Sequence, residues 1–267
     1  MKQYEKLRSL LAETGGIVVG YSGGVDSTLL AKAATDALGE RAICVLIESC
    51  LVPESDTAEA VQIAEQLGLN LVRFKADVLS IEGVPDNEPD RCYHCKRALF
   101  AKMVEIAGAN GIAVVADGAN LDDEGDYRPG TRATAELGVR SPLKELGLGK
   151  ADIRKISKEI GLPTWSKPSY ACLASRIPYG TRLTPEILRQ VEGAEAVLRR
   201  MGFGQFRVRH HGDLARIELT AGDLNKALET DAREEIVGEL KALGYAYVAL
   251  DLSGYRTGSM NEVLGKE

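Results

Sequence analysis

The stretch Ser22-Gly23-Gly24-Val25-Asp26-Ser27 limits what this chain can fold into more than any other. Ahead of it, Ile17-Val18-Val19-Gly20-Tyr21 is apolar and β-branched, the pattern of a buried strand. Behind it, Thr28-Leu29-Leu30-Ala31-Lys32-Ala33-Ala34 is rich in helix formers. The six residues therefore make a turn from strand into helix. Two glycines let the backbone approach a ligand closely, and the helix offers unpaired N–H groups and the positive end of its dipole. Ser22, Ser27 and Thr28 add hydroxyls. Such a turn is a cradle for nucleotide phosphate. It is not a Walker A loop, because the Gly-Lys-Ser/Thr ending is missing.

The rest of the first half repeats the strand–helix theme. Ala42 to Ile47, Asn70 to Phe74 and Ile112 to Ala116 read as strands, with helices over 54–68 and from Cys95 to Ile106. Repeated βα units with short links imply an α/β fold built on a doubly wound parallel sheet. Ligands collect at the carboxyl ends of such strands. The phosphate turn, Glu48 to Cys50, and Asp117-Gly118-Ala119-Asn120 all fall at that edge. Residues 121–148 are polar and glycine-rich and predict a long loop, whose carboxylates Glu124 and Asp126 are candidate Mg²⁺ ligands. A helix from Lys150 to Ile160 precedes a linker with Pro163, Pro168 and Pro178. The domain boundary is placed near residue 166, dividing the chain into 1–166 and 167–267. Beyond it, a helix from Pro185 to Met201, strands from Gln205 to His210 and Leu214 to Leu219, a helix from Ala221 to Leu243 and a strand from Ala246 to Leu252 predict a smaller α+β domain with an antiparallel or mixed sheet.

The 33 basic against 39 acidic residues, a net charge of −6, argue against a generic nucleic-acid binder. No apolar run approaches the roughly 18 residues of a membrane span, and the charged start is unlike a signal peptide. A cytoplasmic chain without membrane or nucleic-acid partners is the expectation. The five cysteines then read as metal or catalytic thiols rather than a disulfide framework. Cys92 and Cys95 sit at a loop-to-helix junction as a Cys-x-x-Cys pair, and Cys172 lies in the linker among Lys167, Arg176 and Arg182, whose charge favours a thiolate. Residue chemistry alone leaves three readings open: a redox dithiol, a zinc site, or a three-thiolate iron–sulfur cluster. Cys44 reads as a small core residue, and Cys50 has no assignment. Arg207 and Arg209 alternate on one strand face and, with Arg216 and Ser175, are candidates to hold a substrate phosphate. Lys96, next to Cys95, is placed to meet a substrate carboxylate or phosphate.

The hexapeptide resembles the PP-loop of the ATP pyrophosphatases, the adenine nucleotide alpha hydrolase-like group. With it, Asp117-Gly118-x-Asn120, Asp126-Tyr127-Arg128-Pro129-Gly130, Ser175-Arg176-x-Pro178-Tyr179-Gly180, Arg207-Val208-Arg209, Ala215-Arg216-Ile217-Glu218 and the tail Leu250-Asp251-Leu252-x-Gly254-Tyr255-Arg256-x-Gly258-x-Met260-Asn261 resemble the LarE family along essentially the whole chain. The resemblance implies an ATP-dependent sulfurtransferase of nickel-pincer nucleotide synthesis. It adenylylates the carboxylates of a small-molecule substrate, pyridinium-3,5-biscarboxylic acid mononucleotide, and converts them to thiocarboxylates. ATP with Mg²⁺ would occupy Ser22, Gly23, Gly24, Val25, Asp26 and Ser27, near Ile47, Ser49, Asp117, Gly118 and Asn120. One form of the family sacrifices the sulfur of a single linker cysteine. Another holds a 4Fe-4S cluster on three, and Cys92, Cys95 and Cys172 resemble that form. A homo-oligomer is implied as well, while the sulfide donor is not. Two other readings of the chain are a PP-loop tRNA thiolase and a non-catalytic nucleotide-binding protein with structural zinc; a synthetase of the NAD or GMP type leaves the cysteines unexplained.

Overall fold

The computed structural model describes residues 1–123, 129–168, 171–256 and 258–264. It divides into two compact units, Met1–Val84 with Pro89–Tyr170, and Pro85–Glu88 with Ala171–Glu267.

In the first unit the strands are β1 (Ile17–Tyr21), β2 (Ala42–Glu48), β3 (Asn70–Lys75) and β4 (Val114–Ala116). All pair in parallel, in the order β3-β2-β1-β4. The helices are α1 (Lys2–Ala12), α2 (Val25–Leu38), α3 (Glu54–Gln66), α4 (Arg91–Ala109), α5 (Pro129–Glu136), α6 (Pro142–Glu145) and α7 (Lys150–Glu159). Side chains alternate across a strand, so the sheet buries both faces. Ile17, Val19, Cys44 and Leu46 pack with Leu7, Leu30, Ala60 and Ile153 of α1, α2, α3 and α7. Val18, Ile43 and Val45 pack with Phe100, Met103 and Ala107 of α4. Helices α2 and α3 thus carry the chain outward along one face, and α4 brings it back along the other to β4. The strand order reverses between β1 and β4. That reversal is the crevice where doubly wound sheets bind ligands.

In the second unit α8 (Pro185–Arg200) begins with Pro185, and Thr184 caps it by accepting from the Ile187 N–H at 3.3 Å. Strands β5 (Phe206–His211) and β6 (Leu214–Leu219) form an antiparallel hairpin, and β7 (Tyr247–Leu250) joins β6 in parallel. Helices α9 (Ala221–Leu228) and α10 (Thr230–Ala242) lie between β6 and β7. Leu198, Phe206, Val208, Ile217, Leu240 and Tyr245 centre the core. The distant segment Pro85–Glu88 joins this unit through Asn87, a buried residue with φ of 58° whose Nδ2 donates to the Ile177 and Pro178 carbonyls at 3.3 and 2.9 Å.

Three expectations change. Helix α4 starts at Arg91 rather than Cys95, following Pro89 and an Asp90 that suits a helix amino end, so both cysteines of the pair are helical. The stretch 121–148 is not one loop: it contains α5 and α6, and Arg140 bridges β4 at Ala116. Its helical face was hidden because α5 buries Gly130, Ala133 and Thr134, small residues without an apolar stripe. The single helix over 221–243 is two, broken at Glu229, whose φ and ψ of −58° and 141° are extended.

Candidate active site

The phosphate turn is built as the sequence suggests, and its glycines differ in purpose. Gly23 has φ of 68°, and a Cβ there would lie 2.6 Å from the Ala60 Cβ of α3. Only glycine fits. Gly24, at φ −80° and ψ 165°, precedes the first residue of α2, and a Cβ there would meet only the Ser22 Oγ at 3.4 Å. Ser27 Oγ accepts from the Ser22 N–H at 3.1 Å and lies 3.0 Å from Ser22 Oγ, which closes the turn on itself. Lys167 Nζ donates to the Gly23 carbonyl at 3.1 Å and pairs with Glu59 at 3.0 Å. Asp26 stands in the first turn of α2, where Lys150 from the start of α7 forms an ion pair with its Oδ2. Among the described residues its buried Oδ1 has no hydrogen-bond partner.

The loop after β4 forms the other wall. A Cβ on Gly118 would lie 3.1 Å from the Ser27 backbone nitrogen, so glycine lets this loop lie against the start of α2. Asp117 is buried and accepts from Ser141 Oγ at 2.7 Å and the Ala119 N–H at 3.1 Å. Buried Asn120 accepts from the Asp122 N–H at 3.0 Å, and Asp122 in turn accepts from the Lys150 N–H at 2.6 Å. Ile47 is half-buried on the sheet, and Ser49 Oγ accepts from the Leu51 N–H at 3.4 Å. Glu124 and Asp126 lie outside the described residues.

Cys92 and Cys95 are three residues apart in the first turn of α4, hence on one side of it, and both are half-buried. The Arg91 guanidinium donates to the Cys92 sulfur at 3.6 Å. Lys96 follows, its chain crossing the bare face of Gly130, where a Cβ would lie 2.6 Å from Lys96 Cδ. Cys44 is fully buried in β2, which pushes its thiol up to about 12, and burial also raises the exposed-edge thiol of Cys50. Among the described residues no three His, Cys, Asp or Glu side chains form a ready metal-holding group.

Cys172 belongs to the second unit, just ahead of a short 3-10 turn, Leu173–Arg176. Arg176 is 2% exposed and clasps buried Glu195 with two bonds of 2.8 Å. Its Nη1 donates to the carbonyls of Ala171 and Cys172 at 2.6 and 3.1 Å and to Ser175 Oγ at 2.9 Å. A cavity of about 300 Å³ opens beside this turn, with Ser175, Tyr179, Arg209, His211, Arg216 and Ser259 in its wall. Arg209 is held by fully buried Glu218 at 3.0 and 2.7 Å and donates to the Ser175 carbonyl at 2.6 Å. Arg216 bridges Glu218 and Asp251, both at 3.2 Å, and its buried Nε has no hydrogen-bond partner among the described residues. Ser175, Arg209 and Arg216 are therefore brought together. Arg207 lies behind them, stacked 5.0 Å from the Tyr255 ring and donating to the Phe206 carbonyl at 2.6 Å. Burial first, then the charge of Arg176, lowers its pKa.

Comparison with known proteins bears on both units. The NAD synthase family model matches residues 3–84. The pyridinium-3,5-bisthiocarboxylic acid mononucleotide synthase of Lactiplantibacillus plantarum is 40% identical over 261 residues, 97% of this chain and 94% of that one. The chain belongs to the LarE family. An uncharacterized protein of Synechocystis is 41% identical over 263 residues, 98% of each chain. A GMP synthase of Shewanella amazonensis is 28% identical over 174 residues, 55% of this chain and 31% of that enzyme. This LarE-family chain is an enzyme, an ATP-dependent sulfurtransferase, on a parallel α/β sheet with a second, smaller sheet.

Sequence reasoning missed Lys150, Asp122, Glu195 and Glu218. Lys150 meets Asp26 across 124 residues, and nothing local announces such a pair. Glu218 carried a signal: in register it faces Arg207, with Arg216 facing Arg209, so opposite charges share one sheet face.

Proposed function

We propose that this chain spends ATP to activate the carboxylates of pyridinium-3,5-biscarboxylic acid mononucleotide and converts them to thiocarboxylates in nickel-pincer nucleotide synthesis. One observation carries the reading: near full-length identity of 40% to a synthase named for the bisthiocarboxylic acid product. The phosphate turn at the strand reversal supports it.

In this scheme Ser22 to Ser27 take the pyrophosphate end of ATP, with helix N–H groups and hydroxyls neutralising its charge. Ile47, Ser49, Asp117, Gly118 and Asn120 flank the adenosine. A substrate carboxylate oxygen attacks the α-phosphorus, and pyrophosphate leaves to give an acyl-adenylate. Sulfide then attacks the acyl carbon, AMP departs with the bonding electron pair, and one oxygen has become sulfur. Lys96 steadies the reacting carboxylate. Ser175, Arg209 and Arg216, backed by Arg207, hold the mononucleotide phosphate, because guanidinium forks match its oxygens. Mg²⁺ would accompany ATP, with Glu124 and Asp126 as its proposed protein ligands.

Cys92, Cys95 and Cys172 are the proposed ligands of a 4Fe-4S cluster. The donor chemistry fits: two thiols share one helical turn, and a guanidinium N–H reaches the Cys92 sulfur to complement a thiolate. Such a cluster, when bound, supplies the sulfide. The chain's contribution is to fix the thiol backbones, Cys92 and Cys95 by α4 and Cys172 by Arg176. Among the described residues no helix is long and apolar enough to cross a membrane, and we assign the work to the cytoplasm and to a homo-oligomer.

The test is anaerobic reconstitution with iron and sulfide, then reaction with ATP, Mg²⁺ and the biscarboxylic acid mononucleotide. Pyrophosphate release with a product mass one oxygen-for-sulfur exchange heavier per carboxylate is expected. Pyrophosphate release that depends on tRNA and ignores the mononucleotide overturns the substrate assignment.

A further inference from the structure

The cavity of the second unit is closed on one side by the chain itself. A 3-10 turn, Ser259–Val263, places Ser259 and Met260 in its wall. Ser259 Oγ accepts from Arg209 Nη2 at 2.7 Å and donates to Glu218 Oε1 at 3.4 Å. An oxygen accepting from a guanidinium N–H is what a bound phosphate would supply at that point. The other bonds of Arg209 run to Glu218 and to the Ser175 carbonyl, so Ser259 sits on the part of the guanidinium that an anion would have to reach. The turn that carries this hydroxyl is lightly held. Upstream the backbone is firm: the Tyr255 N–H donates to the Leu219 carbonyl at 2.8 Å, and a Cβ on Gly254 would lie 2.8 Å from that same oxygen. Gly258 then redirects the chain at φ 78°. Beyond it, Asn261 Oδ1 accepts from the Tyr179 hydroxyl at 3.0 Å, and Glu262 pairs with Arg256 at 3.0 Å, with 55% and 38% of their side chains exposed. Polar contacts this accessible contribute little stability and exchange partners readily.

We propose that Ser259 determines specificity by standing in for the substrate phosphate: residues 258–264 close the empty cavity through its hydroxyl, and a phosphate dianion displaces that hydroxyl from Arg209. The inference rests on the assignment of this cavity to the phosphate of the mononucleotide. That substrate also carries two carboxylates, and a guanidinium accepts any of the three anions. The hydroxyl sets a threshold among them. Glu218 already neutralises Arg209, so a carboxylate monoanion gains little by replacing Ser259 there. A phosphate brings a second charge and a third oxygen. It can engage Arg209 and Arg216 at once, and the buried Nε of Arg216 has no hydrogen-bond partner among the described residues. The phosphate end alone therefore opens the segment, and the ring carboxylates are left outside the cavity.

The experiment is amide hydrogen exchange of the full chain, read by mass spectrometry over residues 258–264, with calorimetric titration beside it. Excess α,β-methylene ATP fills the phosphate turn, so that the second unit alone is titrated. The probes are inorganic phosphate, nicotinic acid mononucleotide and its riboside, which lacks the phosphate. In the wild type, phosphate and the mononucleotide are expected to speed exchange over 258–264, and the riboside to leave it unchanged. Ser259→Ala removes the competing hydroxyl and is expected to tighten phosphate binding about three- to tenfold. Asn261→Ala, which frees the segment and keeps the hydroxyl, tightens it in the same direction. Slower exchange on binding means that the segment closes on its ligand, and this overturns the proposal. So does unchanged exchange, or phosphate affinity that is unchanged or weaker in Ser259→Ala. If the wild type takes neither phosphate nor the mononucleotide, the assignment of the cavity to the substrate phosphate itself fails.

Discussion

Substituting Gly23 by alanine separates the architecture of the phosphate turn from its chemistry, provided Gly24→Ala is measured beside it. At Gly23 an alanine adopts a left-handed backbone, φ 68°, which costs about 1–2 kcal/mol. Its methyl also falls 2.6 Å from the Ala60 Cβ and 2.9 Å from the Ala60 Cα. The second contact is helix backbone, so α3 must shift, an overpacking cost of about 1–3 kcal/mol. The restricted unfolded chain returns less than about 1 kcal/mol. A net loss of roughly 2–4 kcal/mol lowers the melting temperature of the first unit by roughly 5–15 °C. At Gly24 the backbone is ordinary and the nearest atom is Ser22 Oγ at 3.4 Å, so stability changes by less than about 1 kcal/mol. The methyl there instead stands between the helix amino end and an incoming phosphate. Circular dichroism melts with and without ATP read both effects. Gly23→Ala loses melting temperature without ligand; Gly24→Ala keeps it and loses the ATP-induced rise. Equal melting temperatures for the two unliganded variants would refute the packing of this turn on α3.

Arg176→Met leaves buried Glu195 without its charge partner and releases the Cys172 carbonyl, so it costs about 3–5 kcal/mol, and alkylation of Cys172 by iodoacetamide accelerates several-fold; an unchanged rate removes Arg176 from the positioning of Cys172. Burial, and after it the charge of His211, lowers the pKa of buried His210 below the usual 6.5. The unfolded chain takes up that proton first, so this histidine's contribution is whole above pH 6.5 and lost as pH falls through the folded value. The denaturant midpoint of the second unit therefore drops from pH 7.5 to 5.5, and His210→Asn flattens the drop; an equally steep drop in the variant refutes the assignment. Cys92→Ala, Cys95→Ala and Cys172→Ala should each lose reconstituted iron and sulfide and sulfur transfer while keeping ATP-dependent pyrophosphate release. Full iron binding by any of them excludes that thiol as a ligand.

The parts legible in the sequence are those whose signal is local. A β-branched run, a paired glycine and a run of helix formers announce the turn at 22–27, and repeated βα units with short links announce the parallel sheet. What escaped was long-range or carried by small residues. Helix α5 buries glycine, alanine and threonine, so no apolar stripe marks it within a polar stretch. The break at Glu229 is a single extended residue between two segments that both favour helix. Asn87 joins the second unit through carbonyls some ninety positions away. At the site, alternate spacing does put Arg207 and Arg209 on one face, yet their neighbours differ: Arg209 finds Glu218 and Arg207 finds Tyr255. Spacing defines a face, and only tertiary pairing decides which guanidinium reaches the cavity.

The buried carboxylates of the second unit explain why the phosphate site proposed there would need so many arginines. Glu195 and Glu218 neutralise Arg176 and Arg209, so net charge alone makes a weak attraction for an anion. The pairing supplies orientation in its place. Glu195 accepts from Arg176 and from the Val208 N–H at 3.1 Å, and so ties α8, β5 and the turn after Cys172 to one carboxylate. Glu218 likewise fixes Arg209 against the Ser175 carbonyl and meets Arg216 from its other side. Ion pairs this deeply buried recover their desolvation cost only with good geometry, and the bidentate forks provide it. The consequence is that the backbone carrying Cys172 and the wall of the cavity are set by the same two carboxylates. A substitution at either one therefore disturbs the cavity wall and the Cys172 backbone together, which separate sites on a flexible linker would not do.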